Sequence, residues 1–320
     1  MRGINNRDDS FQNRLRYFLA ENGDFHVYKL KRIKNNVIRL DDGNKQWVLK
    51  GYKNENIVKQ LWSFFQHVQN LSYITSFHPF LNGERWLMDE NDGKLWCLTP
   101  WVEGKSLSFK EEKNRDFAVR TLTTFHRDVQ GIVVPTYRKP ITFSKKMEKR
   151  LRQFIKTKAL FHDYGYLDLY EQIVKHSHVI LEQMEQLNWH RLESIARKKR
   201  YWIHGDCASH NFIVQNHNVF MIDFDLLSPS PYEYEWIQLA QRFMDEPTAS
   251  VYTLLRYQIF QRLLERNRYF YYGILFPNDL IREWMYAIKN KKRRIGPTIQ
   301  KFDEKWQSRM EFVAEVNSMI

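Results

Sequence analysis

The stretch that decides the fold is "YWIHGDCASHNFIVQNHNVFMIDFDLLS", from Tyr201 to Ser228. Apolar runs alternate here with polar residues set at their ends. Read as local structure, it is a strand (Arg200 to Ile203), a loop (His204 to His210) and a second strand (Asn211 to Val214). A turn over "QNHN" and a third strand (Val219 to Ile222) follow, ending at Asp223. Asp206, Asn211 and Asp223 then fall at strand ends facing one loop region, where their oxygens can converge on a metal and a phosphate. Taken singly they read as a turn residue, a strand-edge amide and a turn initiator, but those readings leave the joint spacing unexplained.

The spacing carries chemistry. His204-x-Asp206-x-x-x-x-Asn211 matches the catalytic-loop pattern of phosphoryl-transfer enzymes, in which an Asp accepts the proton of a substrate hydroxyl and an Asn binds Mg²⁺. Asp223, after the apolar "FMI", stands where a second metal-binding Asp belongs. Oxygen donors of this kind suit a hard cation that also bridges nucleotide phosphates.

The rest of the chain sets the context. Its 320 residues are enough for one large or two associated domains. With 43% apolar and 15% aromatic residues, it is a packed globular protein. Lys and Arg exceed Asp and Glu by 50 to 37, a net charge of +13, so polyanions are attracted in general. The basic runs Lys145 to Arg150, Arg197 to Arg200 and Lys291 to Arg294 lie beside helical patterns with no nucleic-acid module, so they read as solvated faces and nucleic acid is not an expected partner. Cys97 and Cys207 are the only cysteines, which excludes a disulfide scaffold and fits a reducing compartment. The opening "MRGINNRDDS" has no apolar signal region, and no long uncharged apolar run occurs, so a cytoplasmic protein without membrane contact is expected.

Between Asp24 and Val102 the texture is strand-like: "FHVYKLKRI", "NVIRL", "QWVLKGY", "RWLMDE" and "LWCLTPWV", with tight-turn residues at "DDGN" and "NDG". One helical pattern, Asn54 to Leu71, interrupts them. After Gly104 the patterns are helical: Asn114 to Gly131, then about 140 to 158, 164 to 199, 231 to 245, 248 to 272, 277 to 290 and 296 to 318. The expected architecture is α+β, with a sheet-rich N-terminal lobe (residues 1–102) holding a nucleotide and a helical C-terminal lobe (103–320) holding the catalytic and substrate residues.

The segment "HGDCASHNFIV…MIDFD" resembles the signature of the aminoglycoside phosphotransferase and choline kinase superfamily, which has the bilobal protein-kinase-like fold. "TPWVEGKSL" (Thr99 to Leu107) resembles its hinge, and "LTTFHRDVQG" (Leu122 to Gly131) its helix ending in Leu-x-x-x-His. Within the superfamily, "HGD-x-A-S-H-N-F", "IDFD" and the following Pro-Tyr-x-Tyr-Glu-Trp run are similar to the spore-coat-associated kinase-like proteins of endospore-forming bacteria. The resemblance implies Asp206 as catalytic base, Asn211 and Asp223 as Mg²⁺ ligands, and His204 as a structural anchor of the loop. It implies Lys50 of "WVLK" on the α/β-phosphates of ATP, with Lys53 as rival. The expected partners are a nucleotide and a small-molecule acceptor with a hydroxyl, or, on the alternative of a divergent and weakly active protein, components of a spore coat. Tyr232, Tyr234 and Trp236 are candidates to line the acceptor pocket, or to pack.

Several departures accompany the match. No glycine lies in "YKLKRIKNNVIRL", where a phosphate loop is expected, which leaves Lys29, Lys31 or Lys34 to supply charge. No acid occurs from Asn56 through Gly83 to orient Lys50: Glu55 comes early and Gln60 is neutral. Ala208 stands where many relatives have a His. Glu235 falls four residues past Pro231, where the family commonly has an Asp three past. Asp225 takes the Gly place of the protein-kinase D-F-G and is not assigned as a ligand.

Overall fold

The computed structural model of the chain describes residues 5–245, 250–290 and 295–319. Elements run α1 (Asn5–Gly23), β1 (Lys29–Lys34), β2 (Val37–Asp41), β3 (Gln46–Tyr52), α2 (Glu55–His67), β4 (Leu87–Asp89), β5 (Lys94–Pro100) and β6 (Lys105–Ser106). They continue with α3 (Glu112–Asp128), α4 (Phe143–Ile155), α5 (Lys158–Asp163), α6 (Leu167–Glu185), α7 (Trp189–Lys199), β7 (Trp202–Ile203), β8 (Phe212–Gln215), β9 (Asn218–Met221) and β10 (Ser228–Pro229). The last are α8 (Tyr232–Phe243), α9 (Val251–Leu255), α10 (Gln258–Arg266), α11 (Arg268–Leu275), α12 (Asn278–Lys289) and α13 (Ile295–Asn317). The basic run Lys291 to Arg294 and the start of the pattern expected at 248 lie outside the described residues.

The chain folds as two units, and both are discontinuous. The first comprises Met1–Leu107, Ile132–Arg138 and His210–Leu227; the second comprises Ser108–Gly131, Lys139–Ser209 and Ser228–Ile320.

In the first unit the five expected strands form an antiparallel sheet in the order β1-β2-β3-β5-β4. Strand alternation puts Ile38, Leu40, Trp47 and Leu49 into one core, so Val48 and Lys50 point to the opposite face. That core is closed by Leu15 and Leu19 of α1, a helix absent from the sequence reading. Phe11, Leu15, Phe18 and Leu19 do carry helical spacing, but arginines between them dilute the stripe. β8 and β9 form a hairpin whose corner residues Asn216 and His217 both have positive φ (47° and 68°), the requirement of a tight two-residue turn. β6 adds to the edge of β8, and Met221 bonds the backbone of Tyr73 and Thr75.

The second unit is helical apart from the β7–β10 pair. The pattern expected from 164 to 199 is broken into two helices, α6 and α7. The break is set by Asn188, whose side chain accepts the Arg191 amide at 2.9 Å as an N-cap. Asn267 does the same for Phe270 and divides α10 from α11.

Candidate active site

In the first unit, Lys50 lies at the edge of a cavity of about 370 Å³, within the roughly 300–1,000 Å³ of small-molecule sites. Apolar walls come from Val37, Val48, Ile213 and Ile222, a further side from the segment Thr99 to Val102, and polar groups from Lys50, Asn211 and Asp223. The sequence reading leaves Lys50 without an acid; the structure corrects this. Lys50 Nζ is 2.6 Å from Asp223 Oδ1 and 2.7 Å from Asp225 Oδ2. Burial alone lowers the pKa of this ammonium, but attraction to Asp225 and Asp223 outweighs it and the net shift is upward. The Tyr52 hydroxyl donates to Asp225 Oδ1 at 2.9 Å, and burial together with the Asp225 charge holds Tyr52 firmly protonated. Asp225 therefore supplies the contact that the helix acid supplies elsewhere.

The other expected contributors separate clearly. Glu55 pairs with Lys59 on its own helix, and Gln60 donates to Leu227 O and accepts from the Arg138 amide. Lys53 is exposed and does not line the cavity. Of the three β1 lysines only Lys34 lines it; Lys29 and Lys31 border a separate depression with Arg16 and Tyr28.

Asp223 has φ +66°, the left-handed region that Asp tolerates better than most residues. Asn211 is buried, and its carbonyl accepts the Ile222 amide at 3.0 Å, which ties the head of β8 to the residue preceding Asp223. Among the described residues no group of three or more His, Cys, Asp or Glu is gathered to hold a metal alone. Asn211 and Asp223 offer two oxygen donors to one cavity, which fits Mg²⁺, a cation that keeps waters and takes phosphate oxygens to complete its shell.

In the second unit, the loop from His204 to Cys207 has every amide after His204 held by a side chain. Gly205 N–H donates to Glu235 Oε1 at 2.7 Å, Asp206 N–H to His204 Nδ1 at 3.3 Å, and Cys207 N–H to Gln238 Oε1. Gly205 sits at φ +87°, where a side chain is strained. These bonds fix the backbone on both sides of Asp206, whose side chain is 33% exposed and 3.8 Å from Arg242 Nη2.

Glu235, one residue further along than the family pattern places its acid, is the hub of this arrangement. It is 1% exposed and accepts from His126 Nε2 at 2.7 Å and from the Cys207 thiol at 3.4 Å, in addition to Gly205. Burial raises a carboxyl pKa, but the His126 hydrogen bond and the charges of His126 and His204 prevail and Glu235 is held below its ordinary value. Burial and Glu235 push the Cys207 thiol far up, so it is an inert donor. Tyr232 stacks on His126 with centroids 4.0 Å apart, Tyr234 donates to Glu193 at 2.7 Å, and Trp236 is buried edge-on to His126. Tyr232 and Trp236 thus pack on the loop support, whereas Tyr234 packs between Phe143 and Trp189.

A family model described as the phosphotransferase enzyme family matches residues 34–266. No curated protein matches the chain. Among solved structures, an aminoglycoside phosphotransferase from Alicyclobacillus acidocaldarius is similar at 15% identity over 94% of each chain, with a TM-score of 0.73. Choline kinase LicA from Streptococcus pneumoniae is similar at 12% identity over 94% of this chain and 99% of its own, TM-score 0.50. A mutant of the aminoglycoside phosphotransferase APH(4)-Ia, in a ternary complex with ADP and hygromycin B, is similar at 13% identity over 95% and 98%, TM-score 0.51. These likenesses show the kinase-like α+β fold, with its antiparallel N-terminal sheet and helical C-terminal part. The matched span covers most of the chain and includes Lys50, Asp206, Asn211 and Asp223, and the chain belongs to the phosphotransferase enzyme family.

Proposed function

We propose that the protein is an ATP- and Mg²⁺-dependent phosphotransferase acting on a hydroxyl of a small molecule. The observation that carries this is the pairing of Lys50 with Asp223 at 2.6 Å on a cavity that Asn211 also lines. In this reading the cavity takes the nucleotide, Lys50 holds its phosphates, and Asn211 and Asp223 hold the cation. The cation neutralises the charge that develops on the phosphoryl oxygens. Asp206 accepts the acceptor's hydroxyl proton; the acceptor oxygen bonds to the γ-phosphorus, and the bond to the bridging oxygen breaks with its electron pair leaving on ADP. His204 anchors the loop and does not exchange protons with substrate.

ADP and hygromycin B bound to the similar APH(4)-Ia, and ADP and spectinomycin bound to the similar spectinomycin phosphotransferase, support a nucleotide and a small-molecule acceptor. The test is phosphoryl transfer from labelled ATP to a panel of hydroxyl compounds. Asp206→Ala should keep nucleotide binding and lose transfer; transfer retained by that variant removes Asp206 from the base role.

One observation favours a second reading. The β1–β2 turn is Asn35-Asn36, without the glycine that lets backbone amides close on phosphate. A divergent kinase-fold protein that binds nucleotide weakly, and serves as a structural or binding component of a spore coat as the sequence resemblance implies, would show little or no turnover with any acceptor.

A further inference from the structure

In the second unit Arg242 lies beside Asp206, Arg282 is near both, and Arg150 is near Arg282; among the described residues none of the three has a full complement of partners. Arg242, in the last turn of α8, approaches Asp206 Oδ1 to 3.8 Å, beyond hydrogen-bond reach, and its buried Nε has no partner among the described residues. Arg150, the one basic residue of its run that is not exposed, bonds only the neutral side chain of Asn278 among the described residues. Asn278 in turn donates to Gln241, the neighbour of Arg242, at 3.4 Å, so it joins α4, α8 and α12. Arg282 lies one turn beyond Asn278 on α12 and is half-buried. It has no hydrogen bond and no carboxylate within 4 Å among the described residues.

Other carboxylates nearby are already paired. Asp279 bonds Arg309, and Asp245 and Glu283 bond Lys305. Burial first, and the charge of Arg242 second, lower the Arg282 pKa, although Asp279, Asp206 and Asp245 pull the other way. Burial and Arg282 bring Arg150 down to about 10. A half-buried group of like charges is unfavourable alone and is relieved by an anion.

We propose that the acceptor is a hydroxyl compound that also carries a phosphate or carboxylate group, held by Arg242, Arg282 and Arg150 so that its hydroxyl meets Asp206. Guanidinium forks bind such oxyanions bidentately, which orients the rest of the molecule as well as holding it. The proposal deepens the phosphotransferase reading and rests on it.

The test titrates inorganic phosphate and, separately, malonate against the nucleotide-free full chain and its Arg282→Gln, Arg242→Gln and Lys50→Met variants, following thermal stabilisation. Circular dichroism checks the fold of each. Arg282→Gln removes a charge that has no ion-pair partner among the described residues, so it should fold. One or both anions should bind the native chain, the tighter naming the acceptor's group. Affinity should fall about tenfold or more in each arginine variant, as expected for lost charged hydrogen bonds, and persist in Lys50→Met. No binding by the native chain, or binding weakened only by Lys50→Met, overturns the proposal. A chain that ATP stabilises but that ignores both anions loses this inference and keeps the transferase reading; one that binds an anion through the arginines but never ATP does the reverse.

Discussion

Replacing Glu235 should loosen the loop that carries Asp206, and the structure sets the size of the effect. Glu235 accepts two hydrogen bonds at 2.7 Å, from His126 and the Gly205 amide, while 1% exposed. Hydrogen bonds to a charged group contribute about 1.5–3 kcal/mol each. Removal of one partner of a buried pair costs about 3–5 kcal/mol, because the other is left without compensation. Glu235→Ala should therefore lose about 3–5 kcal/mol. Glu235→Gln keeps an acceptor for Gly205 but turns a charge-assisted bond to His126 into a neutral one, for a loss of about 1–2 kcal/mol.

The assay is urea denaturation at fixed m-value, with transfer kinetics on the folded fraction. A loop displaced by about 1 Å costs on the order of a hundredfold in rate, and the loss should appear in kcat, with KM for ATP little changed. If Glu235→Ala lies within about 0.5 kcal/mol of native, or if its defect is confined to KM, the hub role assigned to Glu235 is wrong.

Four further outcomes follow from particular contacts. Because Glu235 has a depressed pKa, its stabilisation is present above the ordinary 4.5 and is lost as pH falls through the lower folded value; the gap between native and Glu235→Gln in denaturation midpoint should close below pH 4.5. Gly205→Ala places a side chain at φ +87° and should cost about 1–3 kcal/mol in the same assay, with transfer falling further than stability. Leu19→Ala, at a fully buried position of α1, should destabilise by about 2–5 kcal/mol; a negligible effect would mean that α1 does not close the sheet core. Asp225→Asn should raise KM for ATP about tenfold, with Asp225→Glu recovering part of it, since Asp225 holds Lys50 at 2.7 Å; an unchanged KM argues against that positioning role.

The parts of the site that were legible in the sequence are those whose spacing is local. Asp206, Asn211 and Asp223 stand within one run of strands, and the strand ends, the hairpin corner and most helices could be read from alternation and turn residues. The pairing of Lys50 with Asp223 spans 173 residues, as does the contact of Tyr52 with Asp225, and that of Lys50 with Asp225 spans 175; no local pattern reports them. By position Glu235 is a misplaced acid, but a Glu one residue along α8 still reaches Gly205 and His126. Arg150 reads as part of a solvated run because that run lies beside a helical pattern with no nucleic-acid module; its contact with Asn278, far along the chain, leaves no local signal.

The claim at the centre is that the cavity bearing Lys50, Asn211 and Asp223 takes a nucleotide with its cation. Thermal unfolding with ATP and Mg²⁺ tests it most directly, in the native chain, Lys50→Met and Asp223→Ala. At a hundredfold excess over Kd the native chain should gain about 2.7 kcal/mol, a rise of several degrees in Tm. Lys50→Met should lose most of that gain, and Asp223→Ala should lose the part that depends on Mg²⁺. No rise in the native chain, or an equal rise in all three, would contradict the account.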